Sequence, residues 1–292
     1  MQQYEQLCHP RRAHVELESG AVMDRRRFLK SAAGLFVPAA PALILPKRVL
    51  AQGGMGPGPG TVHSTGGGSL GLQTNLGSFF SLDNTLADAT GNVTNLTNNG
   101  TVTFVSPPGG GLPAVTNCAK FVSASSQFLS HADATGINVA GIDFSLQFWF
   151  FVTASTKTFA TKNSGGFGSR EYGLDYPFGS GGSNPVRADI NNSLTLTTAN
   201  FSTNAWHHAV LTYNATTKGA ILYVDGSSAA TGTAGNNPAG TSQLNLGADG
   251  SNTPLYDGNL ALFGTWRSRI LSAGDVTLLF NSGAGLSYAA MA

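Results

Sequence analysis

The sequence has little charge, almost no cysteine and very little glutamate. Charged residues make up 11% of the 292 residues, and the two cysteines are Cys8 and Cys118. Glu171 is the only glutamate after residue 52, where 8 basic and 11 acidic residues give a formal net charge of −3. That part of the chain has no basic stripe to follow a nucleic-acid backbone, so we do not expect nucleic acid as a partner.

These shortages also restrict the fold. With Cys118 alone after residue 52, that part cannot form an internal disulfide, and we expect its thiol to be a small buried side chain. The low content of charged helix formers, beside 38 glycines, favours strands joined by tight turns over helices. A chain of this length can hold one large all-β domain.

Half of the 16 basic residues lie in the first 52 residues. An arginine cluster there precedes an apolar run at 31–45 and a small-residue cleavage site, which resembles a twin-arginine export signal. The residues that carry this interpretation are Arg25, Arg26, Phe28, Leu29 and Ala51. Residues 1–22 show no pattern, so either Met1 or Met23 is the start. The alternatives are a membrane anchor or a basic amphipathic helix, but the 15-residue run is shorter than the roughly 20 residues that span a bilayer.

The pattern divides the chain into three parts. Residues 1–52 are an extension with the export signal, and residues 53–69 are a linker rich in Gly, Pro and Ser. Residues 70–292 are the folded domain. No other segment is apolar enough to cross a membrane. Because of the export signal, we predict an exported protein in the periplasm, outside the cell or on its surface.

The domain is organised around a predicted hairpin, WHHAVLTYNATTKGAILYVDG, at 206–226. Its period-two alternation predicts two antiparallel strands, and Asp225-Gly226 predicts a tight turn. A second alternating run from Phe144 to Val152 predicts a central strand. Near the end, Ser272 with Asp275 predicts a helix start and Gly283 a helix end.

Several segments resemble laminin-G-like, concanavalin-A-like jelly-roll domains. They are the hairpin, FVSASSQFLS, DFSLQFWFFV, LNLGADG and YDGNLALFGTWRSRILSAGDVTLLF. The resemblance implies an antiparallel β-sandwich of two sheets, with one short C-terminal helix here. It also implies binding of sugars or proteins on a concave face and its rim loops, and in some relatives the cleavage of glycans.

The candidate ligand-binding residues lie at 162–192, where glycine-rich loops flank two short predicted strands. Aromatic rings stack on sugar rings, while Arg, Asp and Asn bind hydroxyls. The candidates are Arg170, Tyr172, Asp175, Tyr176, Arg187, Asp189 and Asn191. The alternative is a pair of solvated loops without a ligand.

Hard oxygen ligands in turns also predict a calcium site, which the resemblance places near the turn after the first strand. The candidate ligands are Asp88, Asn92, Asp249 and Asp257. An ordinary turn, in which Asp and Asn bind backbone amides, is the alternative. His207 and His208 are adjacent on a strand and point to opposite faces, which disfavours one shared metal ion.

No catalytic residues are predicted. The glucanases that the domain resembles use a Glu-x-Asp-x-Glu triplet on one strand, and Glu171 has no such neighbours. The sequence therefore predicts a non-catalytic module that binds a glycan or a surface protein. A structural or adhesive part of a surface or phage-like assembly is the alternative, and a glycan-cleaving enzyme is a third interpretation.

Overall fold

A computed structural model of the chain describes residues 69–153, 158–163, 170–175 and 185–292. Within them lie fifteen β-strands, one α-helix and three short 3₁₀ helices. The strands are β1 (Leu76–Phe80), β2 (Thr97–Asn99), β3 (Thr103–Val105), β4 (Cys118–Phe121), β5 (Phe128–His131), β6 (Phe144–Val152), β7 (Thr158–Asn163), β8 (Arg170–Asp175), β9 (Pro185–Ile190), β10 (Leu194–Asn200), β11 (Trp206–Tyr213), β12 (Gly219–Val224), β13 (Ser227–Thr233), β14 (Leu244–Leu246) and β15 (Gly258–Arg267). Helix α1 spans Ala273–Phe280, and the 3₁₀ helices span Ser123–Ser125, Asn281–Gly283 and Ala289–Met291.

The strands form two antiparallel sheets. The first has the order β13-β12-β11-β6-β15-β4-β3, and β1 also pairs with β15. The second has the order β10-β9-β8-β7-β14-β5-β2. The predicted two-sheet antiparallel sandwich with one short C-terminal helix is confirmed.

Two strands, β4 and β1, pair with the same edge of strand β15 in the first sheet. Its first residues pair with β4, from Gly258 to Leu260, and its later residues pair with β1, from Phe263 to Trp266. Leu262 lies between the two pairings with a left-handed φ of 53° and donates its amide to the Ser81 carbonyl. The first sheet therefore needs a strand from each end of the domain.

The main core lies between the sheets, and the alternation of β6 explains its position. Phe144, Leu146, Phe148, Phe150 and Val152 all face this core, as their period-two spacing predicts. Phe150 packs on Phe159 of β7 in the opposite sheet, with ring centroids 4.6 Å apart. Burial of each large apolar side chain stabilises the fold by about 1.5–3 kcal/mol.

The predicted hairpin is confirmed as β11 and β12. Ala209 lies opposite Val224, and the turn at Asp225-Gly226 has positive φ angles of 50° and 79°. Asp225 stabilises the turn, because its carboxylate accepts the His208 amide at 2.9 Å. Trp206 is only half-buried, with its indole N–H donated to the Pro108 carbonyl at 3.0 Å.

The outer side of the first sheet is apolar and covered, and we call it the covered face. Its second hydrophobic cluster includes Phe79, Trp149, Val210 and Trp266, with Val276 and Leu279 from α1. Phe280 stacks on the Trp149 ring at 5.8 Å. A layer of chain from both ends of the domain therefore closes this side to solvent.

Helix α1 begins as predicted, and a 3₁₀ helix extends it to the predicted stop. Ser272 and Asp275 form a reciprocal capping box, in which the Asp275 amide donates to Ser272 Oγ at 3.1 Å. The helix ends at Phe280 because Asn281 takes the left-handed conformation, with φ 48°. The 3₁₀ helix Asn281–Gly283 then continues the helical segment to the predicted end at Gly283, whose φ is 92°. None of the helices in the described residues has the length and apolar character to cross a bilayer.

Candidate functional site

The outer side of the second sheet is polar, and we call it the polar face. Alternation places Leu174, Ala188 and Leu244 toward the core, so their neighbours along the strands point outward. These outward residues are Ser130, Thr161, Gly173, Asp175, Arg187, Asp189 and Asn245. The two outer faces of the sandwich thus differ in chemistry.

The Arg170 side chain lies on the polar face because β8 has a β-bulge at its start. Lys162 pairs with Tyr172, and the next pair is Asn163 with Arg170, so Glu171 is an extra residue in the ladder. The Arg170 side chain then lies over Gly173. A Cβ atom at Gly173 would sit 3.0 Å from Arg170 Nη1, so only glycine leaves full space for the guanidinium.

Four predicted residues meet in one ion-pair network. Arg170 Nη1 contacts Asp175 Oδ2 at 3.0 Å and also contacts Asp189 Oδ2. Arg187 binds both oxygens of Asp175, with Nε–Oδ1 and Nη2–Oδ2 distances of 2.8 Å. Two guanidinium groups and two carboxylates therefore balance one another, which lowers the cost of burying them.

Burial divides this network into an inner and an outer part. The Arg170 and Asp175 side chains are 1% and 2% exposed, whereas Asp189 and Arg187 are 13% and 28% exposed. Hydrogen bonds to Asp175 raise the Arg187 pKa by more than burial lowers it, and the charges of Asp175 and Asp189 raise it further. Thr195 extends the outer part, because its hydroxyl donates to Asp189 Oδ1 at 2.6 Å. Arg187, Asp189 and Thr195 therefore keep exposed side-chain surface.

Tyr172 does not belong to this site. Its ring lies in the main core, fully buried, 6.0 Å from the ring of Phe144. Burial raises the pKa of its phenol. The prediction that Tyr172 offers a stacking surface is wrong, because residues 172 and 174 share the inward side of β8.

The other two predicted ligand residues lie elsewhere. Asn191 is in the turn between β9 and β10, where Asn191 and Asn192 have φ angles of 45° and 51°. The Asn191 amide donates to the Glu171 carbonyl at 3.1 Å. Tyr176 falls outside the described residues, as do the signal residues Arg25, Arg26, Phe28, Leu29 and Ala51.

An amide cluster on the polar face was missed by sequence reasoning. Asn245 is buried on β14 and donates through Nδ2 to the Asp249 carbonyl at 2.6 Å and to Asn252 Oδ1 at 3.0 Å. Gln243 Nε2 donates to Asn245 Oδ1 at 3.0 Å. The alternation of Leu244, Asn245 and Leu246 is the sequence signal that could have revealed it.

A protein-family profile described as the concanavalin A-like lectin/glucanases superfamily matches residues 124–277, which is more than half of the chain. The chain belongs to this superfamily. The matched range begins in the 3₁₀ helix Ser123–Ser125, just before β5, and ends within helix α1. It includes every residue of the ion-pair network. A comparison with curated proteins found no match.

Solved structures share this concanavalin A-like fold at low sequence identity. Domain 4 of the extracellular arabinanase AbnA from Geobacillus stearothermophilus, in complex with arabinotriose, has a TM-score of 0.53 at 16% identity; the match covers 70% of this chain and 97% of that one. The binding domain of Paraclostridial Mosquitocidal Protein 1 has a TM-score of 0.58 at 18% identity, with 73% and 53% covered. A Trypanosoma rangeli sialidase mutant displaying trans-sialidase activity has a TM-score of 0.52 at 18% identity, with 72% and 33% covered. The match thus spans about half of the mosquitocidal protein chain and a third of the sialidase chain.

The predicted calcium ligands of this concanavalin A-like domain lie in three separate places. Asp88 accepts the amides of Phe79, Asn92 and Val93 at 2.8–3.0 Å, and Asn92 donates to the Gly77 carbonyl. Asp249 Oδ1 accepts two amides of its own loop, and Asp257 accepts the amide and hydroxyl of Ser123. Across the described ranges, no group of three His, Cys, Asp or Glu side chains is placed to hold a metal. Calcium stays a prediction.

His207 and His208 point to opposite sides of β11, as expected. His208 lies on the covered face against Trp149, with ring centroids 5.0 Å apart, and Nε2 pairs with Gln147 Oε1 at 2.9 Å. Burial lowers the His208 pKa to about 3, so the ring is neutral. For His207, burial lowers the pKa, but Asp225 at 2.7 Å and the Ser202 carbonyl raise it by more.

Glu171 forms part of a buried ion pair. Lys162 is fully buried, and its Nζ lies 3.0 and 3.1 Å from the two Glu171 oxygens and 2.6 Å from Asp133 Oδ1. The Ser242 amide donates to Glu171 Oε1 at 2.9 Å. The last glutamate of the sequence therefore links β7, β8 and the segment before β14.

Cys118 also has the predicted structural role. Its side chain is fully buried in the second hydrophobic cluster, and Asn259 donates to Sγ at 3.4 Å. Burial raises the pKa of the thiol to about 12, so it is a protonated thiol at neutral pH.

Proposed function

We propose that this chain is an exported, non-catalytic module that binds carbohydrate through the polar face. The observation that carries the proposal is the ion-pair network of Arg170, Asp175, Arg187 and Asp189 on the outer side of the second sheet. Such groups are costly to bury, and a purely structural sheet face would be built more stably from apolar residues.

The inner and outer parts of the network have different proposed roles. Arg170 and Asp175 are positioning residues, because their side chains are buried and hold Arg187 and Asp189 in place. Arg187 and Asp189 retain exposed surface beside the Thr195 hydroxyl. Together they offer donors and acceptors at fixed positions, which is what recognition of sugar hydroxyls requires.

The similar structures support this proposal. The arabinanase domain was solved with arabinotriose, and the mosquitocidal protein domain is named a binding domain. Both are below 20% identical to this chain, so they support the sandwich as a scaffold for binding and do not identify the sugar.

A binding role also fits the state of Glu171. Its carboxylate already binds Lys162 and the Ser242 amide, so it holds strands together instead of facing a glycosidic oxygen. The sequence has no Glu-x-Asp-x-Glu triplet, which is the arrangement that the glucanases of this superfamily use. Calcium, if it binds, would serve the fold of the loops.

A glycan array probed with the full chain tests the proposal. The Arg187→Gln variant should bind the captured glycan at least tenfold more weakly, because a hydrogen bond to a charged group contributes about 1.5–3 kcal/mol. The matched control is Lys120→Gln, which removes one exposed charge from the first sheet. Thermal melts of all three proteins check that the fold is intact.

Two results would contradict the proposal. Binding that is equally weak in Lys120→Gln would show a general charge effect, and unchanged binding in Arg187→Gln would remove the polar face from recognition. If the array captures no glycan at all, the alternative of an adhesive or structural component becomes the better interpretation.

A further inference from the structure

A cavity at one end of the sandwich lies apart from the polar face. It has a volume of about 420 Å³ and is lined by β1, the end of β15, the turn at Asn92 and the turn at 135–136. This volume lies within the range of about 300–1,000 Å³ that is usual for small-molecule sites. None of the residues in the proposed carbohydrate site lines it.

Two glycines form a wall of this cavity. Gly77 and Gly136 are packed back to back, so that a Cβ atom on either one would overlap the carbonyl oxygen of the other. A Cβ at Gly77 would also lie 3.0 Å from Cγ and Cδ of Arg267. The stem of Arg267 is therefore packed directly against the β1 backbone.

Arg267 is the charged residue of the cavity lining. Its Nε donates to the Asn138 carbonyl at 2.7 Å, and its amide donates to the Asn75 carbonyl at 2.9 Å. Within the described part of the chain, no carboxylate lies at ion-pair distance from its guanidinium. The nearby Asp88 directs its oxygens to backbone amides of β1 and its own turn.

Neutral hydrogen-bonding residues share the cavity lining with Arg267. Asn75 and Asn92 use their Nδ2 groups on the backbone carbonyls of Ser268, Leu76 and Gly77, which fixes both amides and leaves their oxygens as acceptors. Thr135 adds an exposed hydroxyl to the lining. The cavity thus combines one fixed positive charge with several groups that suit hydroxyls.

We infer that this cavity is a second ligand site, which binds the carboxylate of an acidic sugar residue such as a uronic acid. The guanidinium matches a carboxylate in geometry, and one cation suits a monoanion better than a phosphate dianion. Asn75, Asn92 and Thr135 bind the ring hydroxyls. The inference rests on the proposed function, because it assumes that the module recognises glycans.

Titration of the full chain with D-glucuronate and D-glucose, followed by NMR or calorimetry, tests this site. Glucuronate should bind and glucose should bind at least tenfold more weakly, and rising salt should weaken glucuronate binding. Arg267→Gln should reduce glucuronate affinity at least tenfold, whereas Arg267→Lys, which keeps the charge, should retain part of it. Thr135→Val, at an exposed position, should weaken binding without loss of fold.

Arg187→Gln separates this inference from the proposed function. If the inference is correct, that variant loses the array glycan and keeps glucuronate binding. Loss of glucuronate binding in Arg187→Gln but not in Arg267→Gln would place the acidic sugar on the polar face and overturn the inference. Acetate binding as tightly as glucuronate would also overturn it, because the sugar ring would then contribute nothing.

Discussion

The two outer faces of the sandwich have the same backbone architecture and opposite chemistry. On the covered face, Trp149 is buried beneath Phe280 and packs beside His208, whose ring is neutral. On the polar face, Arg170 and Asp175 are equally buried but charged and paired. We therefore expect substitutions to cost more stability on the covered face than at the exposed positions of the polar face.

The largest expected effect comes from the covered face. Trp149→Ala should lower the free energy of unfolding by about 3–5 kcal/mol, because it leaves a large cavity under α1. On the polar face, Thr195→Ala should cost about 1 kcal/mol or less, since it removes one exposed hydroxyl that binds Asp189. Urea denaturation of both variants measures the difference, and equal losses would contradict the division between the faces.

An intermediate loss of folding stability is expected at acid pH, because His208 is buried as a neutral ring. Its folded pKa of about 3 lies below the ordinary 6.5, so the unfolded state binds a proton that the folded state excludes. Stability should be fully present above pH 6.5 and be lost progressively as pH falls from 6.5 toward 3. His208→Gln removes this titration and should flatten the acid side of the stability curve.

His207 gives the internal comparison, because its pKa is shifted the other way. Its folded pKa is raised, so its contribution is fully present below pH 6.5 and is lost as pH rises through the folded value. His207→Gln should therefore flatten the curve above pH 6.5 and leave the acid side unchanged. An acid slope that disappears in His207→Gln would show that the two histidines have been assigned to the wrong sides.

The smallest expected effect is that of calcium. At Asp88 an ion would compete with backbone amides for the same oxygens, so we expect millimolar calcium to raise the Tm by less than about 2 °C over chelator. Asp249 borders the polar face through Asn245. A larger rise that Asp249→Asn abolishes, and Asp88→Asn does not, would make calcium part of the polar face.

The sequence was sufficient to predict the elements whose signals are local. Alternation predicted β6 and the β11–β12 hairpin, and the Ser272 capping box predicted the start of α1. Tyr172 was misplaced because it was grouped with its polar neighbours, although its spacing from Leu174 put both on the inward side. The place of Arg170 could not be predicted, since it depends on the extra residue at Glu171 in a pairing between strands.

The cavity could not be predicted from the sequence either. Gly77, Gly136 and Arg267 are widely separated in the chain, and only their packing reveals that they meet. Conversely, Arg170, Asp175, Arg187 and Asp189 were grouped as candidate ligand residues because they lie within twenty residues of one another in the chain. Their ion pairs were not predicted, because those depend on the pairing of β8 with β9.

The pairing of both β1 and β4 with one edge of β15 determines when the first sheet can form during folding. Strand β1 finds its partner only at Phe263 to Trp266, nearly two hundred residues later. Such non-local pairing slows folding, and it cannot begin on the ribosome until almost the whole domain has been synthesised. Until then β1 and the residues that later cover Trp149 expose apolar surface. Folding of the domain is therefore expected to be complete only after β15 has left the ribosome.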